Sequence, residues 1–159
     1  MITNFVTKKN WIMRSTFKVL FYVNGSKEKN GVQPAYPFGH GLTYTTFGYS
    51  DLAVEEVSDG YDVSFTITNT GSFDAAEVAQ VYVGEVNPDV ARPAKELKGY
   101  DKVFVKAGES ARVKVHLPES AFAFYDVDIH GWRVNHGLFD IMVGASVSDI
   151  RLSGQVDVR

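Results

Sequence analysis

The sequence predicts an all-β fold, an antiparallel β-sandwich of seven or eight short strands. Three observations carry that expectation. Apolar residues recur at every second position from Tyr49 onward, turn-forming residues separate the alternating stretches, and no run of about 12 residues or more has a clear helical period.

The elements follow in order. A first strand is expected over 49–57, closed by the Asp59-Gly60 turn. In "YDVSFTITN", Tyr61, Val63, Phe65 and Ile67 alternate with Asp62, Ser64, Thr66 and Thr68. The first set points to the core and the second to water, because successive strand residues face opposite ways. Asn69-Thr70-Gly71 breaks the chain before strands near 76–85 and 96–105, and Ala107-Gly108 turns it again. In "ARVKVHL", Val113, Val115 and Leu117 share the inward face, with His116 outward. A strand near 122–127 reaches the His130-Gly131 turn. "LFDIMVG" places Phe139, Ile141 and Val143 on one face, and the last strand lies near 149–156. "GASVS", Gly144 to Ser148, lacks the second glycine of a nucleophile elbow and reads as the turn before that strand. The Cys…Trp…Cys spacing of antibody domains is absent, so a fibronectin type III-like sandwich is the better version. There is no internal repeat.

Composition removes several function classes. A net charge of -3 leaves no basic surplus for a nucleic-acid partner. The lack of cysteine excludes disulfides, thiolate metal sites and a cysteine nucleophile. No apolar run approaches the roughly 20 residues of a membrane-spanning helix, so no membrane partner is expected. The longest N-terminal apolar run, Val19 to Val23, is shorter than a signal-peptide core, and no export signal is read. Residues 1–35 form an atypical N-terminal segment or linker that ends in the polar stretch "NGSKEKNGVQP". Asn24-Gly25-Ser26 matches a glycosylation triplet, a common one.

Candidate chemistry is sparse. His40, between Gly39 and Gly41, has no Ser, Cys or Asp at a motif spacing, and "GHG" lacks the Lys and Ser/Thr of a phosphate loop. The glycines read as a tight bend in which Phe38 and His40 pack or hydrogen-bond. His40, His116, His130 and His136 come with no metal motif, so no metal and no cofactor is expected. Glu55 and Glu56, adjacent on a strand, cannot converge on a glycosidic bond. Asp126 and Asp128, at a strand end, are expected to satisfy turn amides. No catalytic residue is assigned. Among the aromatics Trp11, Tyr82, Tyr125 and Trp132, the pair Tyr125 and Trp132 is the candidate for sugar contact.

"YPFGHGLTYTTF", "TITNTGSFDAAEVAQVYVG", "RPAKELKGYDKVFVKAGES", "LPESAFAFYDV" and "FDIMVGASVSDIRLSG" occur in one order and spacing. Together, from about Tyr36 to Gly154, they closely resemble the C-terminal fibronectin type III-like domain of glycoside hydrolase family 3 enzymes, such as β-glucosidases and β-xylosidases. The resemblance implies that residues 36–156 are that domain, with 36–47 as its lead-in junction. Phe38, His40, Tyr44 and Phe47 would then be interface residues toward the catalytic domains. In the family the nucleophile is an Asp of a barrel-type domain and the acid/base commonly a Glu of the second domain, neither of which is matched here. The family is often periplasmic or secreted. Residues 1–35 keep the spacing of the family's lead-in but not its aromatic-rich core.

The expected function is a non-catalytic accessory module, a fragment of such an enzyme whose partners are the missing catalytic domains, with weak homodimerisation through the junction. An independent carbohydrate- or surface-binding module is the alternative.

Overall fold

The structure is a computed structural model that describes residues 35–159; the calls on Trp11, Val19–Val23 and the Asn24 triplet lie outside them. Phe38–Arg159 forms one compact unit. Among the described residues nine strands follow in chain order: β1 (Phe47–Val57), β2 (Gly60–Asn69), β3 (Ala75–Glu85), β4 (Glu96–Val105), β5 (Ser110–Pro118), β6 (Phe124–Asp126), β7 (Gly131–Arg133), β8 (Gly137–Ser146) and β9 (Asp149–Val158). All pairings are antiparallel. One sheet has the order β1-β2-β5, a second β4-β3-β8-β9, and β6-β7 is a separate small ribbon.

The two larger sheets pack face to face because their strands alternate. Val63, Phe65 and Ile67 of β2, Val113 and Leu117 of β5, Ala79, Val81 and Val83 of β3, and Phe139, Ile141 and Val143 of β8 meet in one core. Register enforces this: Phe65 pairs with Val113 and Val63 with Val115, so both strands present their apolar residues to the same side. A short 3-10 turn, Glu119–Phe122, closes one end by inserting Phe122 edge-on between Tyr61 and Phe139, with ring centroids 5.2 Å from each. At the opposite edge Tyr49 stacks on Phe65.

The element expected over 122–127 divides into that 3-10 turn and β6. The ninth strand, β7, falls where only a turn is expected, because three residues are too few for alternation to show. His130, at φ 51°, makes the reversal between β6 and β7.

The outward face of the β3/β8 sheet is covered in part. Tyr82, Gln80 and Met142 point away from the core yet are buried. Above them runs the 86–95 connection. Its Ala94 carbonyl sits where a side chain on Gly84 would be, and Lys95 donates to the Val147 carbonyl at 2.8 Å. Arg92 anchors the same connection to Glu85, Glu96 and the Phe122 carbonyl.

Candidate functional site

The segment 38–46 crosses the sandwich as a strap before β1 begins. It is held by backbone and by side chain at both ends, the far end including a bond from the Thr70 N–H to the Thr46 carbonyl at 2.8 Å. The Phe38 carbonyl accepts the Val147 N–H at 3.0 Å. The Gly39 carbonyl accepts from Gln80 Nε2 at 3.1 Å. Thr45 Oγ1 donates to Asn69 Oδ1 at 2.7 Å. Gly39 is required here, since its φ of +80° suits glycine and a Cβ would collide with the Gln80 side-chain carbonyl. Asn69, fully buried, also accepts from the Gly71 N–H and donates to the Phe73 and Val105 carbonyls, tying the β2–β3 loop to the strap.

Fixing the backbone leaves apolar side chains outside. Leu42 is 92% exposed, Tyr44 95%, and Phe38 and Phe73 64% each. Two hollows flank them. One, of about 640 Å³, lies between the strap and Glu77, Gln80, Tyr100 and Arg151; the other, of about 530 Å³, lies between Leu42, Tyr44 and Phe73. Of the four expected interface residues, Phe38, His40 and Tyr44 are exposed on the strap. Phe47 is not: it is 8% exposed and belongs to the core, because it opens β1 in the inward register.

The larger hollow has a polar wall. Tyr49 Oη donates to Glu77 Oε1 at 2.7 Å, bridging the two sheets. Burial pushes the Glu77 carboxyl above its ordinary value, opposed by the Tyr49 hydrogen bond and the Arg151 charge. Burial, followed by that carboxylate, pushes the Tyr49 hydroxyl up as well. Arg151 lies over the Tyr49 ring at 6.0 Å and holds the Asp149 carboxyl below its ordinary value.

Tyr125 and Trp132, on the two arms of one reversal, are brought together as a cross-strand pair on β6 and β7, centroids 5.8 Å apart and edge to face. Both are exposed. On the ribbon's other side Arg92 of the 86–95 connection reaches Phe124 at 5.2 Å from its ring centroid and clamps the ribbon to the body, while the ribbon's own Arg133 lies 5.0 Å from the same ring.

The remaining candidates take structural places. Asp126 accepts the Asp128 N–H and pairs with Arg133, the expected turn role. His116 bonds Asp62, whose carboxyl is held low by Lys114 first and His116 second. Glu55 and Glu56 occupy successive positions of β1 and do not converge. Among the described residues, no group of three or more His, Asp or Glu side chains could hold a metal, and no helix is long and apolar enough to cross a membrane.

Sequence reasoning missed Gln80 and Asn69. The signal was present for Asn69, a polar residue on the inward register of β2; Gln80 sits on an outward position whose cover is not readable from the alternation.

The fibronectin type III-like domain family matches residues 77–147. The chain is 44% identical over 136 residues to thermostable β-glucosidase B of Acetivibrio thermocellus, a match covering 83% of this chain and 18% of the relative. That is a longer stretch than residues 35–159 make up, so part of the lead-in before Ala35 is matched as well. It is 47% identical over 116 residues to an exo-α-(1→6)-L-arabinopyranosidase of Bifidobacterium longum, covering 72% of this chain and 15% of that one. The Bifidobacterium adolescentis GH3 β-glucosidase crystal structure superposes with a TM-score of 0.79 at 41% identity, over 83% of this chain and 20% of that one. The chain carries a fibronectin type III-like domain of the glycoside hydrolase family 3 kind. It spans less than a fifth of the length of these curated relatives. What it matches in them is this accessory domain rather than the catalytic portion. In this fibronectin type III-like domain the strap lies within "YPFGHGLTYTTF", one of the five stretches that together carry the family resemblance.

Proposed function

We propose that residues 36–156 act as the accessory sandwich of a family 3 glycosidase and dock against its catalytic portion through the strap face. The observation that carries this is the strap itself. Anchors at Phe38, Gly39, Thr45 and Thr46 hold the strap, and Phe38, Leu42 and Tyr44 stand near Phe73 with their apolar surfaces turned to solvent. Contiguous exposed apolar surface of this sort marks an interaction site. The strap leads into β1 from the N-terminal side, where the family resemblance places the catalytic domains. His40 lies at the margin of the face and serves as a hydrogen-bonding contact.

The test is a chimera. The matched part of the A. thermocellus β-glucosidase is replaced by residues 36–156 of this chain. The chimera is expected to keep activity and melting temperature. Leu42→Ser with Tyr44→Ser is expected to lower its melting temperature while leaving the separate sandwich as stable as before. A chimera indifferent to both substitutions would remove the docking face. The 159-residue chain alone is expected to give no turnover on a panel of nitrophenyl glycosides. Turnover that one Asp or Glu substitution abolishes would overturn the accessory role.

Without its neighbour, the same face pairs weakly with a second copy. A secondary reading assigns Tyr125 and Trp132 to sugar contact, favoured by two exposed rings on a clamped ribbon. A shift of the Trp132 indole N–H resonance on adding millimolar gluco-oligosaccharide is the expected sign; no shift ends that reading.

A further inference from the structure

Gln80 lies on the outward register of β3, between the core residues Ala79 and Val81, and is only 5% exposed. Its amide has three partners. Nε2 donates to Gly39 of the strap at 3.1 Å and to Ala145 of β8 at 2.6 Å, both on the backbone carbonyl. Oε1 accepts the Tyr82 hydroxyl at 2.6 Å. Both donors thus go to carbonyls of different segments, one in the sheet and one in the strap. A methionine would fill much the same space, so the amide is there for direction rather than for burial.

One residue before Gly39, the Phe38 carbonyl is held by Val147, just past β8. Gln80 and Val147 therefore grip the start of the strap from one side, and Asn69 grips Thr45 at its far end. Leu42 and Tyr44 lie on the span between. A loose span carrying two large apolar side chains would fold them onto the sheet, and ordering it again on binding would cost affinity.

We propose that Gln80 is a positioning residue: by clamping Gly39 to β8 it preorganises the strap, so that Leu42 and Tyr44 are presented to a partner rather than collapsed. This rests on the docking reading for its purpose, but its test does not.

The experiment is amide hydrogen exchange on the whole 159-residue chain, comparing wild type with Gln80→Met, Gln80→Glu and Gly39→Ala. The Val147 amide reports the strap through its bond to Phe38. The central amides of β2 and β5 report the core. In each variant the Val147 amide is expected to exchange at least tenfold faster, while the β2 and β5 amides keep their protection. Gly39→Ala reaches the same clamp from the strap side, its methyl colliding with the Gln80 side chain, and leaves the sequence of β3 unchanged, which covers the case in which a β3 substitution fails to fold. Unchanged Val147 protection in the three variants would overturn the proposal. So would an equal loss at Val147 and in β2 and β5, the mark of a residue that only stabilises the sandwich. A strap that is clamped in this way yet never docks would sink the interface and leave Gln80's role standing.

Discussion

Glu77 is a carboxylate caught between two sheets, half-buried, with the Tyr49 hydroxyl as its donor. Its pKa in the folded state is raised, so the folded chain holds that proton more tightly than the unfolded one. The sign follows: the contribution is most favourable below the ordinary carboxylate range and is lost as pH rises through the elevated folded value. Glu77→Gln keeps an acceptor for Tyr49 and removes the charge. The variant is expected to match wild type at acidic pH, to be at least as stable at neutral pH, and to lack that decline; urea melts at several pH values measure it. The buried face of β2 gives a second expectation at this scale. Phe65→Ala should cost about 3–5 kcal/mol, a large part of the roughly 5–15 available to a domain. Thr66→Ala, whose hydroxyl meets Arg112 and Asp51 on the wet face, should be near neutral. Equal melting of the two would mean the register is off by one.

The ribbon of β6 and β7 is where the elements divide into legible and illegible. Its outer pair, Tyr125 and Trp132, adds an edge-to-face contact, so Trp132→Ala should cost about 0.5–1.5 kcal/mol. Its anchor is stronger. Arg92 and Glu85 form an ion pair whose side chains are 6% and 7% exposed. Arg92→Met leaves Glu85 buried without its cation and should cost about 3–5 kcal/mol; thermal melts of the two variants side by side test the order. The long strands could be read directly, because four inward residues in β2 and three each in β5 and β8 repeat the period often enough to fix the face. The ribbon could not, since three residues carry no period. Phe47 misled for a related reason: its sequence neighbours belong to the strap, and only the start of β1 shows that its side chain turns inward. Phe38 and Tyr44 were named as interface residues on the family resemblance, and the structure leaves both exposed. The clamps that expose them were not legible, since hydrogen bonds from Gln80 to residues 41 and 65 positions away leave no local pattern.

At the scale of the whole molecule, the strap face sets the expected solution behaviour. The isolated chain is proposed to dimerise weakly through it, and Phe38→Ser should reduce that association without unfolding the sandwich. Sedimentation at high concentration checks this: a strictly monomeric wild type, or a dimer indifferent to Phe38, would remove the idea.

The sheet order has a consequence for how the chain acquires its shape. The central strand β2 finds β5 only across the whole of β3 and β4, and β3 meets β8 through pairs such as Gln80 with Gly144. Distant pairings of this kind place a domain among slow folders, in the millisecond-to-second range. On a ribosome adding roughly 5–20 residues per second, β3 waits several seconds for β8 to be made, with only β4 available before it. Throughout that interval "VAQVYVG", an uncharged strand, can pair only with β4 and keeps its other edge open. Nascent chains of this domain are therefore expected to depend on chaperone cover during synthesis more than the stability of the finished sandwich would suggest.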